Sequence, residues 1–165
     1  VSLVPLMVGA AAAYLETGLF ASRLFWCFAL GGMCVIAWLN LSNDAYDSET
    51  SVDLTKAESV VNLTGSRNGV LYIANAFLVS GGALLAYAVT TAGDVRAGYM
   101  LAAAVAIGHL YQGPPFRLSY KGLGEPLCFV AFGPLATNAF YLAQCAGGTA
   151  SVHGLSAAVL AASTL

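Results

Sequence analysis

Residues 23–47 read Arg23-Leu24-Phe25-Trp26-Cys27-Phe28-Ala29-Leu30-Gly31-Gly32-Met33-Cys34-Val35-Ile36-Ala37-Trp38-Leu39-Asn40-Leu41-Ser42-Asn43-Asp44-Ala45-Tyr46-Asp47. Between Arg23 and Asp44 lie 20 residues without a formal charge. A helix of about 20 apolar residues crosses a bilayer core. The run then ends in amides and carboxylates, so one segment supplies both a spanning helix and a polar mouth. Similar gaps recur along the chain: 26 residues between Arg67 and Asp94, 20 between Arg96 and Arg117, and 40 after Glu125. Strands of a membrane barrel would be about 10 residues long with strict polar–apolar alternation, and no such pattern is present. The reading is an all-α, multi-pass transmembrane bundle.

Composition agrees. Of the 165 residues, 59% are hydrophobic and 8% are charged, against about 25% charged in a soluble domain. So few charges cannot cover a water-soluble surface, which excludes a soluble enzyme, a disordered chain and a nucleic-acid binder. The net charge of -2 points to no strongly acidic or basic partner. Spans are expected at about 1–20, 23–42, 69–91, 96–113 and 125–146. A sixth begins near Val152 and is cut at Leu165, so the chain reads as truncated at both ends. Cys27, Cys34, Cys128 and Cys145 match no metal or redox spacing and are read as small packing residues.

Most charge falls in two loops, residues 43–68 and 112–124 with Glu125 at the edge. Two expected spans separate them, so both lie on one membrane face. Four of the six cations share that face, which the positive-inside rule makes cytoplasmic or its topological equivalent. In the first loop Asn40, Asn43, Asp44 and Asp47 fall at helical spacing and form one stripe. Converging carboxylates repel unless a cation joins them. All-oxygen ligands suit Mg²⁺ or Ca²⁺, and Mg²⁺ is commonly shared between one or two carboxylates and phosphate oxygens. A plain solvated acidic loop is the alternative. The two asparagines and the interleaved Lys56 and Arg67 count against it, since cations there can meet phosphate.

The second loop combines Arg117 and Lys121 with Tyr111, Phe116 and Tyr120, ahead of Glu125. Pro114 and Pro115 stop the preceding helix, and Gly122 and Gly124 permit a tight turn. Cations, aromatic faces and a carboxylate suit an organic diphosphate that reacts through a cationic centre. An interfacial loop with snorkelling cations is the alternative reading.

The two motifs together resemble the UbiA superfamily of intramembrane prenyltransferases. Asn43-Asp44-Ala45-Tyr46-Asp47 resembles its first aspartate-rich motif. The five-residue gap from Asp47 to Asp53, followed by Glu58-Ser59-Val60-Val61-Asn62, is similar to the branch that prenylates 1,4-dihydroxy-2-naphthoate in menaquinone and phylloquinone synthesis. Tyr111-Gln112-Gly113-Pro114-Pro115-Phe116-Arg117, continuing to Glu125-Pro126, resembles the second motif of that branch. Phe132-Gly133-Pro134-Leu135 fits it as well. Glu125 stands where many members carry Asp, and the Glu-Pro form resembles the enzymes of oxygenic phototrophs, which attach phytyl.

The resemblance implies a bundle of roughly nine helices, of which residues 1–165 supply about five and a part as the N-terminal portion of a single domain. That portion is expected to be inactive alone. It implies transfer of a phytyl or polyprenyl group from an isoprenoid diphosphate to 1,4-dihydroxy-2-naphthoate, with decarboxylation, in a plastid or cyanobacterial-type membrane. It implies Mg²⁺ held by Asn43, Asp44, Asp47, Asp53 and Glu125, and diphosphate met by Lys56, Arg67, Arg117 and Lys121. Tyr46, Tyr111, Phe116 and Tyr120 would shield the carbocation. Homogentisate and chlorophyll-type branches, whose corresponding gap is usually three residues, are the nearest rivals. A cation-coupled transporter is the rival from another class, but its charges should lie within the spans rather than at their mouths.

Overall fold

The computed structural model describes residues 3–48 and 59–147. Asp53, Lys56 and the expected sixth span lie outside the described residues. Six helices follow in order: α1 (Leu3–Thr17), α2 (Ser22–Asp47), α3 (Val60–Thr64), α4 (Arg67–Ala92), α5 (Val95–Gln112) and α6 (Gly124–Ala146). A 3-10 turn, Leu118–Lys121, lies in the α5–α6 connection. The described residues contain no strand, as the charge spacing requires.

Three of these helices, α2, α4 and α6, are long and apolar enough to cross a membrane. That is fewer than the five expected spans. Helix α1 has 15 residues, and α5 is diluted by Arg96, His109 and Gln112. The second difference concerns α2. It does not stop near residue 42 but continues to Asp47. Its 26 residues make a rod of about 39 Å, longer than the ~30 Å hydrocarbon core. The last turns of α2 therefore stand at the membrane surface and carry the acidic stripe on rigid backbone.

Packing depends on small residues. At the α2–α4 crossing Gly31 and Gly81 face each other. A Cβ on Gly81 would sit 2.9 Å from the Gly31 carbonyl oxygen, and 2.9 Å from Cys34 Cβ. Between membrane helices, where lipid competes with apolar side chains, such close backbone approach is a main source of attraction. Gly9 does the same for α1 against α6, where a Cβ would lie 2.7 Å from the Thr137 carbonyl oxygen. Arg23 lies over the Tyr87 ring at 5.5 Å, at the opposite end of the α2–α4 pair from the acidic stripe. Gly93 closes α4 in the left-handed region, with φ 82°, and its N–H donates to Val89 O at 3.0 Å.

Helix α6 is not uniform. Residues Ala131–Thr137 form a π-helical segment around Pro134. Proline cannot donate the usual backbone bond, and a π segment is one way a helix accommodates that loss. Side chains repair part of it: Thr137 Oγ1 donates to Phe132 O (2.9 Å), and Asn138 Nδ2 donates to Pro134 O (2.6 Å). At its other end α6 is tied to the α1–α2 connection. Gln144 Oε1 accepts from Ala21 N at 3.2 Å, and Tyr141 OH donates to Glu16. Glu16 thus has a structural bond at the end of the bundle away from the acidic stripe.

Candidate active site

A cavity of about 490 Å³ opens among α1, α2, α4, α5 and α6, within the usual size of ligand sites. Its lining is polar at one end and apolar along the rest. Asn40, Asn43, Asp44, Tyr111 and Gln112 form the polar end, while Ile36, Leu85, Leu101, Phe132 and Phe140 are among the apolar walls. Along α2 the lining runs from Gly32 to Asp44, about 18 Å of helix.

The polar end is built from the last turns of α2. Asp44 Oδ2 accepts from Ser59 Oγ at 3.1 Å and from Val61 N at 3.0 Å, which pins the start of α3 over the mouth. Asn43 Nδ2 donates to Asp47 Oδ2 at 2.8 Å. Arg67 Nε donates to Ala45 O at 3.1 Å. That bond brings a cation to the C-terminal end of α2, where the helix dipole favours one. Tyr120 OH donates to Asp47 across 73 positions of sequence. The two polar loops therefore meet, as expected for loops on one face.

The expected residues divide into three groups. Asn43, Asp44 and Tyr111 line the cavity. Asp47, Arg67 and Tyr120 are joined to that end by the bonds above, and Tyr46 is half-buried beside them on α2. Phe116, Lys121 and Glu125 are exposed on the second loop and the first turn of α6. Arg117 is half-buried and takes φ 40°. A non-glycine residue in this left-handed region costs about 1–2 kcal/mol. The turn is thus held by Arg117 and by Gly122, with φ 76°, whereas Gly124 already belongs to α6.

Among the described residues no three His, Cys, Asp or Glu side chains converge as a metal cluster. Two carboxylates, Asp44 and Asp47, stand one helical turn apart on α2, and the Asn43 amide is bonded to the second of them. This donor set is hard and all oxygen. It fits a Mg²⁺ ion that takes one or two carboxylates and completes its shell with phosphate and water.

Two buried residues were given no role by the sequence, Ser42 and, inside the second motif, Gln112. Gln112 is 2% exposed and Ser42 is 1% exposed. Gln112 Nε2 donates to Ser42 Oγ, and Ser42 Oγ donates to Trp38 O. The available signal was their polarity within apolar helices, since a buried polar group needs a partner. His109, by contrast, stacks on Trp38 with ring centroids 6.4 Å apart and is a packing residue.

Comparison with known proteins accords with this geometry. Residues 2–165 match the UbiA prenyltransferase family. The chain is 53% identical over 165 residues to the chloroplastic 2-carboxy-1,4-naphthoquinone phytyltransferase of Arabidopsis thaliana, covering 100% of the chain and 43% of that protein. It is 48% identical over 144 residues to the 2-carboxy-1,4-naphthoquinone phytyltransferase of Synechocystis sp., covering 87% of the chain and 47% of that protein. The chain thus spans less than half the length of the curated relatives it matches. No solved structure matches it.

Proposed function

The chain belongs to the UbiA prenyltransferase family, and from that premise we propose that it forms the donor half of a phytyltransferase site acting on a naphthoquinol. The observation that carries the reading is the cavity itself: one polar end lined by the Asp44 carboxylate and the amides of Asn40, Asn43 and Gln112, continuous with an apolar channel, with Asp47 tied to that end through Asn43. An isoprenoid diphosphate has that same division, a polyanionic head and a long apolar tail. The relatives are named for 2-carboxy-1,4-naphthoquinone as acceptor. An electron-poor quinone is a weak nucleophile, so the species that reacts with a carbocation is its reduced form, 1,4-dihydroxy-2-naphthoate.

Asn43, Asp44 and Asp47 would hold Mg²⁺, joined by Asp53 and Glu125 on the strength of the family motif. When bound, Mg²⁺ supplies charge neutralisation to the diphosphate leaving group. Arg67, Arg117, Lys121 and, by the same motif, Lys56 neutralise the rest. The allylic C–O bond then breaks, and the electron pair leaves with diphosphate. Tyr46, Tyr111, Phe116 and Tyr120 shield the cation from water. The ring carbon bearing the carboxyl attacks it. The new C–C bond forms there, and carbon dioxide departs to restore the aromatic ring. The donor is phytyl or polyprenyl diphosphate, the solvent for its tail is the bilayer, and the compartment is a plastid or cyanobacterial-type membrane.

The test is a product assay on the protein at its natural length in membranes. It receives dihydroxynaphthoate and phytyl diphosphate with and without Mg²⁺, beside an Asp47→Asn control. A prenylated naphthoquinol that needs Mg²⁺ and vanishes in the control supports the reading. Product from homogentisate alone would keep the family and overturn the acceptor.

A further inference from the structure

The direction of one buried hydrogen-bond chain selects a chemical class. Ser42 has a single hydroxyl proton, and it goes to Trp38 O. Its oxygen can then only accept from Gln112, so the amide NH₂ of Gln112 points at Ser42. This fixes the orientation of an amide that otherwise could be turned either way. The carbonyl Oε1 is the end of the amide left for the cavity that Gln112 lines. Ser42 lies two residues before Asp44 on α2, so the amide stands level with the first carboxylate turn, where the allylic bond would break. Residues 42 and 112 are both buried, and this preorganises the group before any ligand arrives.

We propose that Gln112 positions the aromatic acceptor by accepting a hydrogen bond from a ring hydroxyl, and that Ser42 holds the amide in the orientation this needs. The inference rests on the function proposed above and deepens it. An acceptor-only group favours a hydroquinol, which has hydroxyl donors. It disfavours the quinone, whose carbonyl oxygen would face another carbonyl oxygen. The site thereby selects the redox state of its acceptor, and Gln112 is a positioning residue for the nucleophilic form. A site built to bond a substrate hydroxyl discriminates strongly against an analogue that lacks it.

The experiment measures, in membranes carrying the protein at its natural length, KM for each substrate and inhibition by the oxidised naphthoquinone acid. It compares the parent protein with Gln112→Met and Ser42→Ala. The expected result for Gln112→Met is an acceptor KM raised about tenfold or more. KM for phytyl diphosphate should be unchanged, and inhibition by the quinone equal or stronger. Ser42→Ala, which lets the amide turn, should move the same quantities in the same direction by less. Two results would overturn the inference: donor and acceptor KM rising together, or quinol and quinone affinities falling in parallel. A parent protein that makes no product from either substrate pair would instead overturn the function itself.

Discussion

Asp47 accepts from Asn43 within its own helix and from Tyr120 on the opposite loop, so its charge and its hydrogen bonds can be tested apart. Asp47→Asn keeps the size and removes the charge; kcat/KM should fall by a factor of about 100 or more. Tyr120→Phe removes only the bridging hydroxyl and should cost about tenfold. Equal losses in steady-state assays would mean that the bridge, and not the carboxylate charge, is what matters. At the other membrane face, Asp94 caps α5 by accepting from Arg96 N at 2.9 Å and pairs with the Arg96 guanidinium at 2.7 Å. The side-chain bond from Arg96 holds the Asp94 carboxyl below its ordinary value of 3.8. A lowered carboxylate pKa contributes stability above the unfolded value and loses it as pH falls through the folded one. Asp94→Ala should therefore cost about 1 kcal/mol near neutral pH. The gap in thermal stability to the parent should narrow once the pH drops below 3.8. The Asp94 side chain is 9% exposed, because capping draws it onto the helix end.

At the scale of elements, the crossings set the cavity walls. Gly31 and Gly81 let α2 and α4 touch backbone to backbone, and Leu85, one turn beyond Gly81, then reaches both the Gly31 position and the cavity. Gly81→Val must push α4 away from α2. Overpacking of this kind costs about 1–3 kcal/mol, readable as a lower melting temperature in detergent. Gly82→Ala is the control. Nothing lies within 4 Å of a Cβ there, so stability should be unchanged. The Gly31-Gly32 and Gly81-Gly82 pairs are visible in the sequence. Which member of each pair faces the neighbour is not, because adjacent residues on a helix point about 100° apart and only the partner helix selects one. The π segment was likewise hidden. Phe132-Gly133-Pro134-Leu135 was legible as a motif, whereas its effect, turning Ala131, Phe132 and Ala136 to the cavity, depends on how α6 absorbs Pro134.

Across the whole molecule, both polar loops sit at one end of the bundle, joined through Asp47 and Tyr120. A cysteine introduced at Lys121, which is exposed, should react with a membrane-impermeant thiol reagent only from the cytoplasmic or stromal-type side. One introduced at Val95, also exposed, should react only from the opposite side. Reaction of both from one side would remove the shared-face topology. Binding of a non-hydrolysable isoprenoid diphosphate analogue should require a divalent cation and be lost with chelator, since Asp44 and Asp47 repel an uncompensated diphosphate.

The sequence by itself determined the membrane class, the all-helical architecture, the side-by-side placement of two polar loops and the chemistry of their residues. These follow from local quantities: the length of uncharged runs against bilayer thickness, helical spacing, and the hardness of oxygen donors. Only the tertiary structure decided that α2 runs unbroken to Asp47, that Glu125 is exposed at the start of α6, and that Ser42 and Gln112 join beneath the site. The last of these joins residues 70 positions apart, and the partner of a buried polar group is chosen by whichever helix packs against it.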